Sequence, residues 1–273
     1  MSDIILSASV RSNLLQLQQA SDLITQTENR LATGKKVGSA LDNANSFFTA
    51  QGLDTRANNL SSLLDSMSNG VNTIQAANNG ITSITKLVQS AQALVSQAQQ
   101  ANNTTTQAAL ATQFNTLLTQ IGQLAGDSGF NGVNLLAGNT LTVTLNESGT
   151  STTAVTGVNY TNANASPLSI ANAANNWAGA LDISAASTAL SAALTSLQSE
   201  SQTLSSSLSS VQIRQNFTKA MITTLQNGSD SLTLADSNAE GANLLALQTR
   251  QQLSSTALSL AAQADQNVLR LFR

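Results

Sequence analysis

The residues in this chain that could do chemistry are its carboxylates. Paired carboxylates can share general acid and base work, or hold a hard cation, when the fold brings them together. Asp42, Asp54 and Asp65 are the most regularly placed, along a stretch of helical pattern. Each reads as a solvated position or a charge at a helix start rather than as half of a pair. The run Asp127-Ser128-Gly129-Phe130-Asn131-Gly132 suggests a calcium loop, but it lacks the spaced carboxylates and closing glutamate that such a loop needs, so it reads as a turn. Asn59-Leu60-Ser61 and Asn102-Asn103-Thr104 match glycosylation sequons, as chance provides in so asparagine-rich a chain. There is no histidine and no cysteine, which removes the commonest general base, the commonest zinc ligands, disulfides and thiol chemistry. No catalytic, metal or cofactor site emerges, and the sequence reads as that of a protein that is not an enzyme.

Charge and composition narrow the partners. A net charge of −3 gives neither a basic footprint for nucleic acid nor a polybasic patch for a membrane surface. No apolar run approaches the ~20 residues that span a bilayer, and Met1 to Leu17 show no basic region followed by an apolar one, so no signal peptide is visible. Charged residues are only 9%, and Leu87 to Gly126 carry none, so like-charge repulsion protects this surface poorly against self-association. Aromatics are 3% of a chain that is 41% hydrophobic, so the core is built from Leu, Ile, Val and Ala, the vocabulary of packed helices. A single proline, Pro167, permits long uninterrupted helices.

The periodicity of those apolar residues sets out the elements. Val10, Leu14, Leu17, Ile24 and Leu31 fall on a 4-3 spacing interrupted by Ser21 and Glu28, which predicts one helix with a coiled-coil stripe, capped near Gly34. From about Asp42 to Ala98, Leu53, Leu60, Met67, Ile74, Ile81, Val88 and Val95 recur every seventh residue. Ala57, Leu64 and Val71 fill the alternate position until Asn78, Thr85 and Gln92 dilute it. Asn69-Gly70 and Asn79-Gly80 read locally as turns. An internal glycine costs about 1 kcal/mol relative to alanine, whereas burying the stripe is worth on the order of 10 kcal/mol as an upper estimate. One helix therefore runs through both glycines, and a small residue there lets a neighbour approach closely. A third helix is predicted from about Thr104 to Ala125.

Beyond it the period changes. Leu141, Val143 and Leu145 alternate with threonines, Asn146-Glu147-Ser148-Gly149 is a turn, and Ala154 to Tyr160 reads as the return strand. Ser148, Thr150, Ser151, Thr152 and Thr153 cluster at this turn. Helical pattern resumes near Ser184 with Leu190, Leu197, Leu204 and Val211 in a heptad stripe, and Asn227-Gly228 reads as a stop or joint. The last helix, from about Leu234 to Leu271, has apolar residues in two registers: Leu244, Leu247, Leu258, Val268 and Phe272 in one, Leu253, Leu260 and Leu271 in the other. A helix apolar on more than one face needs burial on several sides. For the segments from Asp42 to Leu225 the stripes are read as an intramolecular bundle; for the two terminal helices they are read as intermolecular.

Specific motifs then carry a family resemblance. Glu28-Asn29-Arg30-Leu31-Ala32-Thr33-Gly34, followed by Val37-Gly38-Ser39-Ala40-Leu41-Asp42, resembles the Glu-Arg-Leu, Ser/Thr-Gly, Asn-Ser-Ala-Asp pattern of bacterial flagellins, with Asn29 inserted and Gly38 where Asn is usual. Phe130-Asn131-Gly132-Val133-Asn134-Leu135-Leu136 resembles the family's Phe-Asn-Gly turn, and Asn139 to Val143 the hairpin strand after it. Ala242 to Leu253 and Asn267 to Phe272 resemble the flagellin C-terminus, in the style of alphaproteobacterial members.

The resemblance implies a mainly α fold, a long antiparallel helical rod or coiled-coil bundle made by pairing the chain ends, with a small β-hairpin. Residues 1–40 with 234–273 would form the terminal coiled-coil domain lining a filament core. Residues 41–233 would form a helical rod with a hairpin and loop at about 138–183 and no large outer domain. It implies a structural subunit of the extracellular flagellar filament, with other copies of itself, the flagellar type III export apparatus, an export chaperone, the filament cap and hook-associated proteins as partners. It also implies O-glycosylation as the modification of the exposed hairpin hydroxyls. The alternative within the same architecture is a hook–filament junction protein.

Overall fold

In the computed structural model, which describes residues 8–271, the chain is mainly helical with one small sheet. Its elements are α1 (Ala8–Thr33), α2 (Ala44–Gln100), α3 (Thr104–Asp127), β1 (Thr140–Thr144), β2 (Thr152–Thr156), α4 (Ala180–Thr233) and α5 (Ser237–Leu271), with a short 3-10 turn over Ala174–Trp177. The two strands pair antiparallel, with Leu141 opposite Val155 and Val143 opposite Thr153. α2 is continuous through Gly70 and Gly80, and α4 is continuous through Asn227-Gly228, where the sequence suggested a stop. A helical Gly228 has Leu53 as its neighbour, with space of 3.3 Å for an added β-carbon, so packing there outweighs the local turn propensity.

Helix ends carry their own explanations. Asn43 Oδ1 accepts the Ser46 N–H at 3.0 Å, Asn103 Oδ1 accepts that of Thr105 at 2.8 Å, and Asp236 Oδ1 accepts those of Asn238 and Ala239. These side chains satisfy the donors that every helix start leaves free. At the far end of α3, the Asn134 amide donates to the carbonyls of Ala125 and Gly126, each at 2.8 Å. The Phe-Asn-Gly turn that precedes Asn134, with Asn131 and Gly132 at positive φ, folds it back to that position.

Two compact units result. The second, residues 56–223, holds the main core. In α2, Met67, Ile74, Ile81, Val88 and Val95 are buried, as are Leu190, Leu197, Leu204 and Val211 of α4. The complementary series in α2 is Gly70, Ala77, Ile84, Ala91 and Ala98, all buried. It lies one residue before the series Val71, Asn78, Thr85 and Gln92 read from the sequence, because small residues face the core where polar ones were seen to dilute it. The glycines of α2 belong to this face: a β-carbon on Gly70 would lie 2.7 Å from Val143 Cγ2, and one on Gly80 would be 2.6 Å from Leu136 Cδ1. What approaches closely is the hairpin and its lead-in loop rather than another helix.

From Thr161 to Gly179 a strap with a cis Ser166–Pro167 bond crosses α3. Asn115 Oδ1 accepts the Ala173 N–H at 2.9 Å, and the buried Trp177 ring packs on Phe114 with centroids 4.8 Å apart. α4 is also long and apolar enough, by length and composition, to cross a membrane, which the search for unbroken apolar runs did not register. Its leucines, however, form the buried stripe already described, with serines and threonines between them.

Candidate interaction surfaces

The first unit combines the described residues up to Thr55 with those from Thr224 onward. Within it α1 packs along α5. Val10, Ala20 and Thr27 of α1 are buried, and Leu17, Ile24 and Leu31 are half-buried. Ala20 and Thr27 occupy the positions next to Ser21 and Glu28, so the helix keeps its 3-4 seam where the sequence reading found interruptions. Leu14, placed on that seam by its spacing, is instead exposed at 38%. On α5, Leu244, Leu247 and Leu258 are half-buried, and with Gln251 and Ser254 they form the seam facing α1. Glu240 at its start is buried and bonded to Arg30 at 3.1 Å.

Leu253 and Leu260 stand on the other side of α5, 67% and 62% exposed, in line with an equally exposed Leu245. Leu15 and Leu23 of α1 are also exposed. Phe272 lies outside the described residues, as do the side chains of Val268 and Leu271. In the seven-residue series of α2, Leu53 is half-buried and Leu60 buried.

A clasp closes the junctions between these helices. Gly34, at φ +67°, ends α1 and passes its carbonyl to the Ala235 N–H at 2.9 Å. The Lys36 and Val37 amides both donate to the Thr233 carbonyl, and Lys36 Nζ donates to the Ser231 carbonyl at 2.9 Å. Asp42 Oδ2 then accepts from the Ser39 N–H and hydroxyl and from the Gly38 N–H. Those bonds, the Ser39 N–H first, hold its carboxyl below the usual range. Asp42 is thereby a loop-fixing residue. Among the described residues no three His, Cys, Asp or Glu side chains converge on a metal-sized site.

In the second unit the hairpin turn is tied back to α2 by Arg56, whose Nε donates to Glu147 Oε1 at 2.7 Å and lowers that carboxyl's pKa. The Asn146 amide donates to the hydroxyls of Ser148 and Thr150. Ser148, Thr150 and Thr152 are exposed; Ser151 and Thr153 are half-buried. Sequence reasoning missed Ile213 and Phe217 of α4, exposed at 67% and 53%. They sit off the stripe of Leu204, Val211, Thr218 and Leu225, and that offset was the signal available.

These features define a class: a helical structural protein whose two chain ends pack together and whose second apolar faces stay open. The family model for the bacterial flagellin N-terminal helical region matches residues 4–140. Flagellin FljM of Caulobacter vibrioides is 32% identical over 269 residues, covering 95% of this chain and 94% of that protein. A flagellin of Brucella melitensis is 28% identical with both chains fully covered. Flagellin A of Rhizobium meliloti is 39% identical over 95 residues, 35% of this chain and 24% of the other. The chain belongs to the bacterial flagellin family.

Proposed function

We propose that this chain is the subunit that polymerises into the extracellular flagellar filament used for swimming. The observation that carries this reading is the second apolar face of the terminal helices: Leu245, Leu253 and Leu260 on α5 with Leu15 and Leu23 on α1, all exposed while the opposite faces hold α1 and α5 together. Leucines left open on that scale mark a surface for a partner. When such a surface meets a different surface on an identical copy, and the rotation does not close, the product is an open helical polymer. The pairing of residues 1–40 with 234–273 is the polymer core in this reading, and the helices between them form its outer wall.

The finer partners follow from family membership: a type III export apparatus and chaperone before assembly, and a filament cap and hook-associated proteins at the polymer's ends. The full-length relatives, named as flagellins, favour the filament subunit over a hook–filament junction protein. Negative-stain microscopy of the purified chain tests the choice. Long filaments are expected, and deletion of Leu244 to Arg273 should abolish them while the second unit keeps its helical circular dichroism. A chain that never grows beyond short assemblies would favour the junction protein.

A further inference from the structure

We infer that the second unit carries its own head-to-tail contact: Ile213 and Phe217 of one copy insert into the groove between α2 and α3 of the next copy. The inference rests on the filament reading above and adds an interface that the terminal helices do not supply.

The groove has a volume of about 380 Å³ and is lined by Leu94 and Leu117 with Ser90, Gln113 and Thr116 beside them. It lies within the stretch Leu87 to Gly126, which has no charged residue, so neither a basic nor an acidic partner finds a counter-charge there. The protrusion is equally distinct. Ile213 and Phe217 are one turn apart on α4 and both stand out from it. The Arg214 guanidinium lies over the Phe217 ring, 5.3 Å from its centroid, and Arg214 Nε is buried without an acceptor among the described residues. A cation stacked on the ring holds it in place and spends the charge locally. An aromatic side chain fixed in advance loses little freedom on binding, the property that makes such residues anchors of interfaces.

One copy cannot fill its own groove. α2 and α4 run antiparallel, with Gln215 Nε2 donating to Ser68 Oγ at 3.1 Å and Ser201 Oγ to Asn78 Oδ1 at 3.5 Å. That register puts Phe217 level with the part of α2 just before Ser68. Leu94 is nearly thirty residues further on, about 40 Å along the helix. Knob and groove at opposite ends of one unit make a heterologous contact that propagates instead of closing. The occupant is a second copy of this chain because the contact is small. Two side chains and a shallow groove fall well below the roughly 800 Å² per partner of a stable free-standing interface. Such a contact gains force only where another contact already holds the partners close, as along a polymer.

Because the chain has no cysteine, introduced thiols are the only ones present. Leu94→Cys and Phe217→Cys chains, prepared separately and co-assembled with excess wild-type chain, are treated with a short bismaleimide. A covalent dimer joining the two variants is expected from filaments, and none from either variant alone or from unassembled mixtures. In parallel, Phe217→Asp should raise the critical concentration for polymerisation about tenfold or more with unchanged circular dichroism, and Phe217→Leu should stay near wild type. Wild-type filaments whose mixed variants give no dimer, or a Phe217→Asp chain that polymerises normally, overturn this contact alone. A wild-type chain that never polymerises overturns the filament reading and this contact with it.

Discussion

Arg30 and Glu240 are separated by 210 positions in sequence and joined at 3.1 Å in the fold, the guanidinium of α1 donating to the carboxylate at the first turn of α5. Glu240 is the more enclosed of the two, with 12% of its side chain accessible against 33% for Arg30. The pair fixes the register in which the two terminal helices meet, directly above the clasp of Gly34, Lys36 and Thr233. Its removal from one side leaves a half-buried cation without its acceptor. Glu240→Ala should destabilise the first unit by about 1–3 kcal/mol. Hydrogen exchange should quicken along α1 and α5, with protection of Met67 to Ala98 unchanged; uniform loss across both units would contradict the assignment.

The glycines of α2 should divide by what they face. Gly52 is exposed with nothing near its missing β-carbon, so Gly52→Ala should stabilise the chain by about 0.5–1 kcal/mol through helix propensity alone. At Gly80 the same methyl would meet the Ser128 side chain and Leu136 Cδ1, and Gly80→Ala should cost about 1–3 kcal/mol despite the same gain in propensity. Urea melts of the two variants check this; a stabilised Gly80→Ala would mean that the loop after α3 is not seated against α2.

Two carboxylates should respond to pH with opposite signs. Burial raises the pKa of Glu200, which stands near the buried Tyr160, itself raised first by burial and then by the Glu200 charge. The protonated form of Glu200 suits the fold, so stability is lost as pH rises through its elevated value. Glu200→Gln should raise the melting temperature by a few degrees near neutrality, with the gain vanishing in acid. Asp42 behaves the other way: its lowered pKa supplies stability above the ordinary carboxylate range that disappears as pH falls through the depressed value. Asp42→Asn should therefore loosen the loop over 38–42 at neutral pH and make little difference in strong acid, as read by proton exchange of the Ser39 amide.

If the filament surface is modified, the hairpin should carry it. Ser148, Thr150 and Thr152 are exposed hydroxyls on the turn and the strand after it, with Ser151 and Thr153 half-covered beside them. Peptide mapping of native filaments should place added mass between Asn146 and Thr153, at Thr150 or Thr152 before Thr153. Additions confined to α1 or α5 would count against this placement.

Much of the fold was legible because burial in long helices repeats. Met67, Ile74, Ile81, Val88 and Val95 share one face at seven-residue intervals, and the alternation of Leu141 and Val143 with threonine marks a strand. A large apolar residue at a fixed period is a signal that one sequence can carry by itself, and the absence of histidine and cysteine removes whole chemistries without any structure. The sequence therefore determined the helical class, the place of the hairpin and the lack of catalytic means.

What only the tertiary structure decided was the role of the small and the misplaced residues. Gly70, Ala77 and Ala91 line the core because the hairpin and α3 come close, yet glycine and alanine have no distinct signature in a pattern scored by hydrophobicity. Ala20 and Thr27 complete the α1 seam for the same reason. Asn227-Gly228 looks like a break until Leu53 is found beside it, and Leu14, Leu245, Leu253, Ile213 and Phe217 look like core until the fold leaves them exposed. Periodicity states that a helix has an apolar face; which neighbour covers it depends on contacts between residues far apart in the chain, and those form only when the whole chain has packed.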